Sequence, residues 1–439
     1  MTLPPGPRAP KAFQALQWWH RSIPFFHRNR ARFGPVWTER LVGQPPFVDI
    51  SDPALVKQVL TAAPEVLHPG EGARILEPIV GPSSVILLDE APHLEQRRLM
   101  LPAFKGDRMA ALRGVVEEVV RAELATWPRD VPAATHGRLQ ALTLDIILRA
   151  VFGLTSGPRL ERLRALLTEL MEIGSGPVGM FPALQRGPRW RRFLAVRAEA
   201  DELLRAEVDE RRAAGGEGDD VLAMLLHATH EDGSPMSFPE IRDELVTALV
   251  AGHETTASQL AWALVLLARH PAAAALALEG DAELDAVIHE VMRVRPVLIH
   301  AEPRLVKRPY ELGGRTYEPG VVLAVNALNV HHDPAIYPDP FAFRPERFLE
   351  RPPETYTFLP FGGGRRRCLG ASFAMLEMRV VLRELLTTCT IEPTDAPLER
   401  ARRRSITISP QRGAVVTLRA RAAAAPPPPA PARPAALRA

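Results

Sequence analysis

Phe361-Gly-Gly-Gly-Arg-Arg-Arg-Cys368-Leu-Gly370 joins a soft nucleophile, four glycines and three cations within ten residues. A helical pattern begins at Ala371, so Cys368 lies near a helix N-terminus, where unpaired N–H groups and the dipole favour the thiolate, the form that binds metals. Glycine lets the backbone approach something flat or bulky. The arginines offer charge to carboxylates. Other readings of the same residues stay open at this point. A phosphate cradle would need the Gly-x4-Gly-Lys-Ser/Thr spacing, which is missing. The arginines also suit a solvated or nucleic-acid-facing loop, and a lone cysteine is commonly a small buried hydrophobe.

A second constellation is Ala251-Gly-His-Glu254-Thr255-Thr256. Glu254 and Thr255 are neighbours in sequence and point in different directions on a helix. Thr255 is four residues after Ala251 and can bond back to its carbonyl, while Gly252 leaves a groove where the helical ladder can open. The alternative is a threonine that merely bends the helix. Zinc binding through His253-Glu254 would need a second histidine at position 257, which is Ala257. Elsewhere Glu290 and Arg293 share a helix face, with Arg347 further on; on spacing alone this is an ordinary surface pair. His93 and Arg97 share another face, and Arg304 stands ten residues before Gly314.

The elements that must position these groups are mostly helices. Apolar residues recur at three- and four-residue spacing over residues 112–127, 142–152, 160–171, 191–211, 238–269, 281–293 and 371–386. Short strand-like runs cover 46–50, 305–312, 321–326 and 414–418. The pattern implies a mainly α fold with small β-sheets in a single domain over residues 1–420. From Arg421 to residue 439 a Pro/Ala tract lacks the apolar side chains to offset its ordering entropy and reads as a disordered tail. Residues 245–268 are long and apolar enough to invite a membrane reading. A carboxylate at the middle would cost roughly 2.5 to 3.5 kcal/mol there, so a core helix is expected.

Composition narrows the function class. With 46% hydrophobic and 24% charged residues the chain can bury a large core without staples. Two cysteines, Cys368 and Cys389, fit a reducing cytoplasm rather than a disulfide scaffold. Basic and acidic residues nearly balance, 54 against 51, so nothing points to nucleic acid. Prolines near the N-terminus break any signal peptide or membrane anchor. The segment 14–26 could touch lipid, but a packed first helix interrupted at Pro24 is expected. Two cysteines cannot hold an iron–sulfur cluster, and the flavin or nicotinamide fingerprint Gly-x-Gly-x-x-Gly is absent, so neither kind of electron-supplying centre is expected in these residues.

Phe361, Gly364, Arg366, Cys368 and Gly370 fall without a gap on the haem-binding loop of the cytochrome P450 family, which the chain resembles from about Leu3 to Leu418. The resemblance implies haem b (iron protoporphyrin IX) with Cys368 as axial thiolate, pushing electron density onto the metal to favour O–O cleavage. It further implies Arg366 pairing with a haem propionate, Phe361 shielding the sulfur, Gly370 closing the loop, and His93, Arg97 and Arg304 contacting the propionates. Glu254 and Thr255 resemble the family's acid-alcohol pair, which delivers protons during oxygen activation. Glu290, Arg293 and Arg347 match its structural triad. By analogy the substrate wall is Ile75, Leu76, Ile79, Val80, Ala248, Leu249, Val297, Ile299 and Ile406, with His300 as the one polar anchor. Such a wall suits a fatty acid, terpenoid or macrolide-like molecule. A cytoplasmic monomer that inserts one oxygen atom of O2 into a C–H bond is the expectation, served by ferredoxin and an NAD(P)H-dependent ferredoxin reductase. The rival classes are a haem-thiolate peroxygenase or isomerase, whose members typically lack the acid-alcohol pair, and a non-catalytic haem-binding sensor or carrier.

Overall fold

Ser237 opens the longest helix with a capping box: its hydroxyl accepts the Glu240 N–H, and Glu240 Oε2 accepts the Ser237 N–H at 2.7 Å. The helix runs Phe238–Leu267, 30 residues or about 45 Å. Residues 241–247 and 256–267 are buried all round, which marks a helix through a large core. No helix among the described residues is long and apolar enough to cross a membrane. The structure is a computed structural model that describes residues 3–104, 107–154, 156–180 and 184–421. All but the first residue of the expected tail therefore lies outside the described residues.

The helices that pack on this axis include His136–Ala150, Asp281–Val294 and Ala371–Thr388. A Cβ on Gly252 would come within 3.2 Å of Ile147 Cδ1, so this glycine admits a neighbouring helix and not an opened ladder. Helices Pro158–Gly174 and Pro188–Ala213 pair with each other beyond it. All seven expected helices are present, with ends shifted by up to six residues. The 142–152 helix begins earlier, at His136, where Thr135 and His136 take their backbone bonds from Ala414 and Gly413.

One strand expectation is corrected. Residues 305–312 do not form one strand; His300–Val306 ends before Pro309, and Tyr310–Leu312 pairs instead with Arg315–Tyr317. Proline supplies no N–H to a ladder, so the break follows from the sequence. The main sheet is ordered Val36–Glu39, Phe47–Ile50, Val322–Asn326, His300–Val306, Leu67–His68, with Val48 opposite Leu323 in its one parallel pairing. The register shifts between Ala301 and Arg304, where Glu302 takes φ +49°. At the N-terminus the helix breaks at Arg21, not at Pro24. Pro24 sits in the first turn of Ser22–Phe33, where its missing N–H costs nothing, and Phe25 and Phe26 are buried.

Candidate active site

The cysteine loop is held by its own backbone. Cys368 N–H donates to the Phe361 carbonyl at 3.0 Å, and the Ala371–Thr388 helix starts three residues on, with Gly370 as its N-cap. Gly364, at φ +67°, would drive a Cβ to 2.2 Å from the Leu60 carbonyl oxygen, so only glycine lets the loop lie against the helix Pro53–Thr61. The Cys368 side chain is exposed, yet protein encloses it closely enough that burial pushes its thiol up. The Gly370 N–H and the charges of Arg367 and Arg97 pull it down without overcoming burial. The helix end thus favours the thiolate, but burial outweighs it. A soft, accessible sulfur next to a helix end and two guanidiniums suits a metal ligand.

Beside it lies a cluster of cations. Arg304 is buried; its NH1 donates to the Val59 carbonyl at 2.9 Å, while its Nε and NH2 are buried without a hydrogen-bond partner. Arg97 NH2 donates to the Arg367 carbonyl at 2.7 Å. Burial, then the charges of Arg366, Arg97 and Arg304, lower His93 to about 3, so it is a neutral imidazole among guanidiniums. The acids here are Asp89 and Glu302. Burial raises Glu302, against the pull of Arg304, Arg366 and Arg97. Arg304 NH2 lies 3.7 Å from Glu302 Oε2, beyond hydrogen-bond reach, so its buried N–H groups still cost free energy and fit an anion such as a carboxylate. The donor set therefore fits a haem: a soft sulfur for iron and arginines for its propionates.

Arg366 is a correction. Its NH2 donates to Asp89 Oδ1 at 2.6 Å and to the Leu88 carbonyl, and its NH1 to the Val85 carbonyl at 3.1 Å. The guanidinium braces residues 85–89 against the cysteine loop and is not free for a propionate. The same segment is held from the other side by the long helix: Glu244 Oε1 accepts the Val85 N–H at 2.7 Å, and Asp243 Oδ2 the Ser83 N–H at 2.8 Å.

Midway along the long helix, Ala248, Ala251, Gly252 and Thr255 form an incompletely buried face, with Ala251 exposed. Thr255 Oγ1 bonds back to the Ala251 carbonyl at 2.5 Å. Glu254 turns the other way into a buried polar cluster. Gln140 Nε2 donates to its Oε2 at 2.6 Å, Ser258 Oγ to its Oε1 at 3.2 Å, and Arg404 Nε stands 3.2 Å from Oε1. Burial raises Glu254, with Arg404 the strongest opposing influence. The acid and the alcohol thus serve two faces of one turn.

Glu290, Arg293 and Arg347 are joined into one buried unit. Arg293 reaches Glu290 through Nε at 2.7 Å and NH2 at 2.8 Å, and Arg347 Nε reaches Glu290 Oε1 at 3.2 Å. Arg293 also donates to the carbonyls of His331, Pro340 and Ala342. This is not a surface pair; all its atoms face other elements.

Of the expected substrate wall, Ile75, Ala248 and Val297 are half-buried and Ile406 is exposed at a hairpin turn. Leu249, Val80 and Ile299 are packed fully into the core, and Leu76 and Ile79 nearly so, which removes at least the first three from any wall. His300 is also corrected. Its Nε2 bonds Asp49 Oδ1 at 2.9 Å and its ring meets Phe26 edge-on, so it is tied to the sheet and no anchor. Arg404, Gln140 and Glu377 were not anticipated. Glu377 had a legible signal, a lone acid aligned with Phe373 and Val381 on the apolar face of its helix.

Comparison with known proteins agrees with this arrangement. The family model "Cytochrome P450" matches residues 4–279 and 283–416. The chain is 39% identical over 435 residues to "Putative cytochrome P450 135B1" of Mycobacterium tuberculosis (strain ATCC 25618 / H37Rv), covering 96% of this chain and 92% of the relative. It is 37% identical to "Putative cytochrome P450 138" of Mycobacterium bovis, covering 95% and 97%. A cyanobacterial CYP120A1 with retinoic acid bound superposes with TM-score 0.84 at 22% identity over 95% of this chain and all of the other. The P450DA haem domain gives 0.82 at 24% identity, over 96% and 98%. A family model that spans nearly every described element, on a fold with a haem-compatible sulfur and cation cluster, settles the assignment: the chain belongs to the cytochrome P450 family of haem-thiolate monooxygenases.

Proposed function

We propose that Cys368 would hold the iron of haem b and that the chain hydroxylates or epoxidises a lipophilic substrate such as a fatty acid, terpenoid or macrolide-like molecule. The observation that carries this reading is the accessible Cys368 sulfur among the charges of Arg97 and Arg367, in a cation cluster whose buried Arg304 lacks a hydrogen-bond partner at two nitrogens. Haem supplies the oxygen activation, with thiolate ligation favouring O–O cleavage. The chain's residues do the rest. Arg304, Arg97 and neutral His93 would hold the propionate edge, with Arg366 acting through the brace at Asp89. Phe361 and Gly370 fix the loop on either side of the sulfur. Thr255 offers a hydroxyl on the open face of the long helix. Glu254, behind it, holds or passes a proton through Gln140, Ser258 and Arg404.

Ile75, Ala248, Val297 and Ile406 remain the candidate wall, all aliphatic and none fully buried, with Ala251 on the same helix face as Ala248. Small side chains on the helix face leave width, which supports a bulky apolar substrate. Electrons come from a ferredoxin and its NAD(P)H-dependent reductase, and the enzyme works as a cytoplasmic monomer. The test is the ferrous-CO spectrum of Cys368→Ala, expected to lose its thiolate signature. Cys389, buried with Arg129 NH1 at 2.6 Å from its sulfur, is the control: Cys389→Ala keeps the signature. A Cys368→Ala spectrum equal to the parent's would end the assignment. Spectral titration with fatty acids, terpenoids and macrolides then selects the substrate.

A further inference from the structure

The helix Lys11–His20 turns a polar side chain inward and apolar ones outward. Gln14 is 2% exposed: its Nε2 donates to the carbonyls of Pro7 at 3.2 Å and Ala9 at 2.8 Å, and its Oε1 accepts the Arg40 N–H at 3.1 Å. Phe13 and Leu16, three residues apart on the outer side, are 50% and 54% exposed. Val42, two residues beyond Arg40, is 51% exposed. A single exposed apolar residue is ordinary on a protein surface. A helix that spends its buried face on a glutamine and leaves a phenylalanine and a leucine outside has its apolar stripe facing away from the core. Trp18 and Trp19, both half-buried, follow on the same helix.

The charges around this stripe are of one sign. Arg8, Lys11, Arg21, Arg28, Arg30 and Arg32 lie within residues 1–38, which contain no acid, although the whole chain carries a net charge of only +3. Positive charge is therefore gathered in this segment and offset elsewhere. Of the six, only Arg30 is ion-paired among the described residues, to Asp333. The other five are exposed. Lys11 opens the first helix and Arg21 follows its end. Arg28 NH2 reaches Gln17 Oε1 at 3.4 Å, which brings a cation of the second helix, Ser22–Phe33, beside the first.

We propose that the outer face of the helix Lys11–His20 docks the folded chain on an anionic lipid surface. Phe13 and Leu16 enter the boundary between headgroups and acyl chains, while Lys11, Arg21 and Arg28 meet the lipid phosphates. An apolar face alone would suit another protein, and a basic face alone would suit any polyanion. The two together, on one short helix, match an acidic surface with an apolar layer directly beneath it. No helix among the described residues is long and apolar enough to cross a bilayer, so these residues lie on the surface and detach reversibly. The inference is independent of which substrate is oxidised, and its readout needs no turnover.

The experiment sediments the haem-loaded full chain with vesicles of equimolar phosphatidylglycerol and phosphatidylcholine, and with vesicles of phosphatidylcholine alone. Binding is expected to the acidic vesicles and to be at least about tenfold weaker to the neutral ones, because each basic side chain near a charged surface adds to the attraction. Salt should release most of the bound protein as the Debye length drops to about 3 Å at 1 M. The double variant Phe13→Ser/Leu16→Ser should weaken binding to the acidic vesicles by about tenfold or more, since it removes the apolar area that enters the lipid. Lys11→Glu/Arg21→Glu should weaken it by about as much. None of the four residues belongs to the haem or substrate machinery, so the ferrous-CO spectrum and substrate affinity in solution should stay at parent values and report an intact fold. No binding to the acidic vesicles, equal binding to the neutral ones, or binding undiminished in Phe13→Ser/Leu16→Ser overturns the inference. Retention on heparin as strong as on the acidic vesicles, and vesicle binding indifferent to the same double variant, would leave a general polyanion site in place of a lipid one and overturns it equally.

Discussion

Arg404 Nε stands 3.2 Å from Glu254 Oε1, so a hairpin near the C-terminus, Ala401–Arg404 with Thr407–Pro410, holds the acid beside Thr255. Arg404 is partly exposed while Glu254 is buried, and the hairpin turn carries Ile406 of the candidate wall. Of the influences on Glu254, burial raises it and Arg404 is the largest that lowers it. Removing the arginine as Arg404→Leu therefore raises the acid further and shrinks its ionised fraction at any given pH. Where turnover needs that ionised form, the acidic limb of the pH–rate profile moves to higher pH. Glu254→Gln abolishes the limb and slows turnover. A profile unchanged in both variants would remove Glu254 from the proton route.

Thr255→Ala is expected to bind substrate and accept electrons as the parent does, yet release peroxide in place of product. The hydroxyl sits on the open face and bonds only within its own helical turn. The ratio of product to NADPH decides the matter; an unaltered ratio returns Thr255 to bending the helix.

The cysteine loop and the long helix are legible in the sequence because each depends on local spacing, and the triad only through its resemblance to the family. What escaped depends on which far segment arrives. Glu290 and Arg293 alone look like a surface pair; only the carbonyls of His331, Pro340 and Ala342 make the site buried. Arg366 looks free until residues 85–89 come down on it. Leu249 and Ala248 are both apolar in sequence, and one residue's rotation of about 100° along the helix puts the first in the core and the second on the open face. His300 went astray for the same reason, since Asp49 lies in a strand far away in sequence. Glu302 escaped because its positive φ belongs to a register shift that no local pattern announces.

Arg293→Lys should be as damaging as a neutral substitution. The guanidinium binds Glu290 through two nitrogens and three carbonyls besides, geometry that an ammonium cannot span. The lysine keeps the charge but leaves buried carbonyls of His331, Pro340 and Ala342 short of donors, at about 1 to 3 kcal/mol each. The expected result is a steep drop in haem-loaded protein and in melting temperature. Wild-type loading in Arg293→Lys would contradict it.

Glu244 gives a pH-dependent stability prediction. Burial raises its folded value to about 8 from the ordinary 4.5, while its Oε1 accepts the Val85 N–H. In the unfolded chain the group ionises near 4.5, so between pH 4.5 and about 8 the unfolded state loses its proton first and stability falls as pH rises. Glu244→Gln keeps an acceptor for Val85 and does not titrate. Its melting temperature should match the parent's near the ordinary carboxylate value and exceed it above the folded one. A constant difference at all pH values would refute the assignment.

Electron delivery should depend on exposed arginines around the cysteine loop, and the structure changes which ones. Arg98, available on sequence grounds, is ion-paired with exposed Glu231, so its charge is partly neutralised. Arg366 is spent on Asp89. Arg365 and Arg367 remain exposed on either side of it, in the loop that carries Cys368. An acidic ferredoxin docking there would be steered by charges in water, and such steering fades as the Debye length drops to about 3 Å at 1 M salt. Ferredoxin-supported reduction should therefore slow as salt rises. Arg365→Glu should slow the encounter further and flatten the salt dependence, with substrate affinity unchanged. Arg98→Glu should do less than Arg365→Glu, because it removes a charge that Glu231 already offsets. Reversing Glu231 to lysine should speed reduction if Arg98 borders the docking face. Reduction rates indifferent to salt and to Arg365→Glu would move the docking face away from this loop.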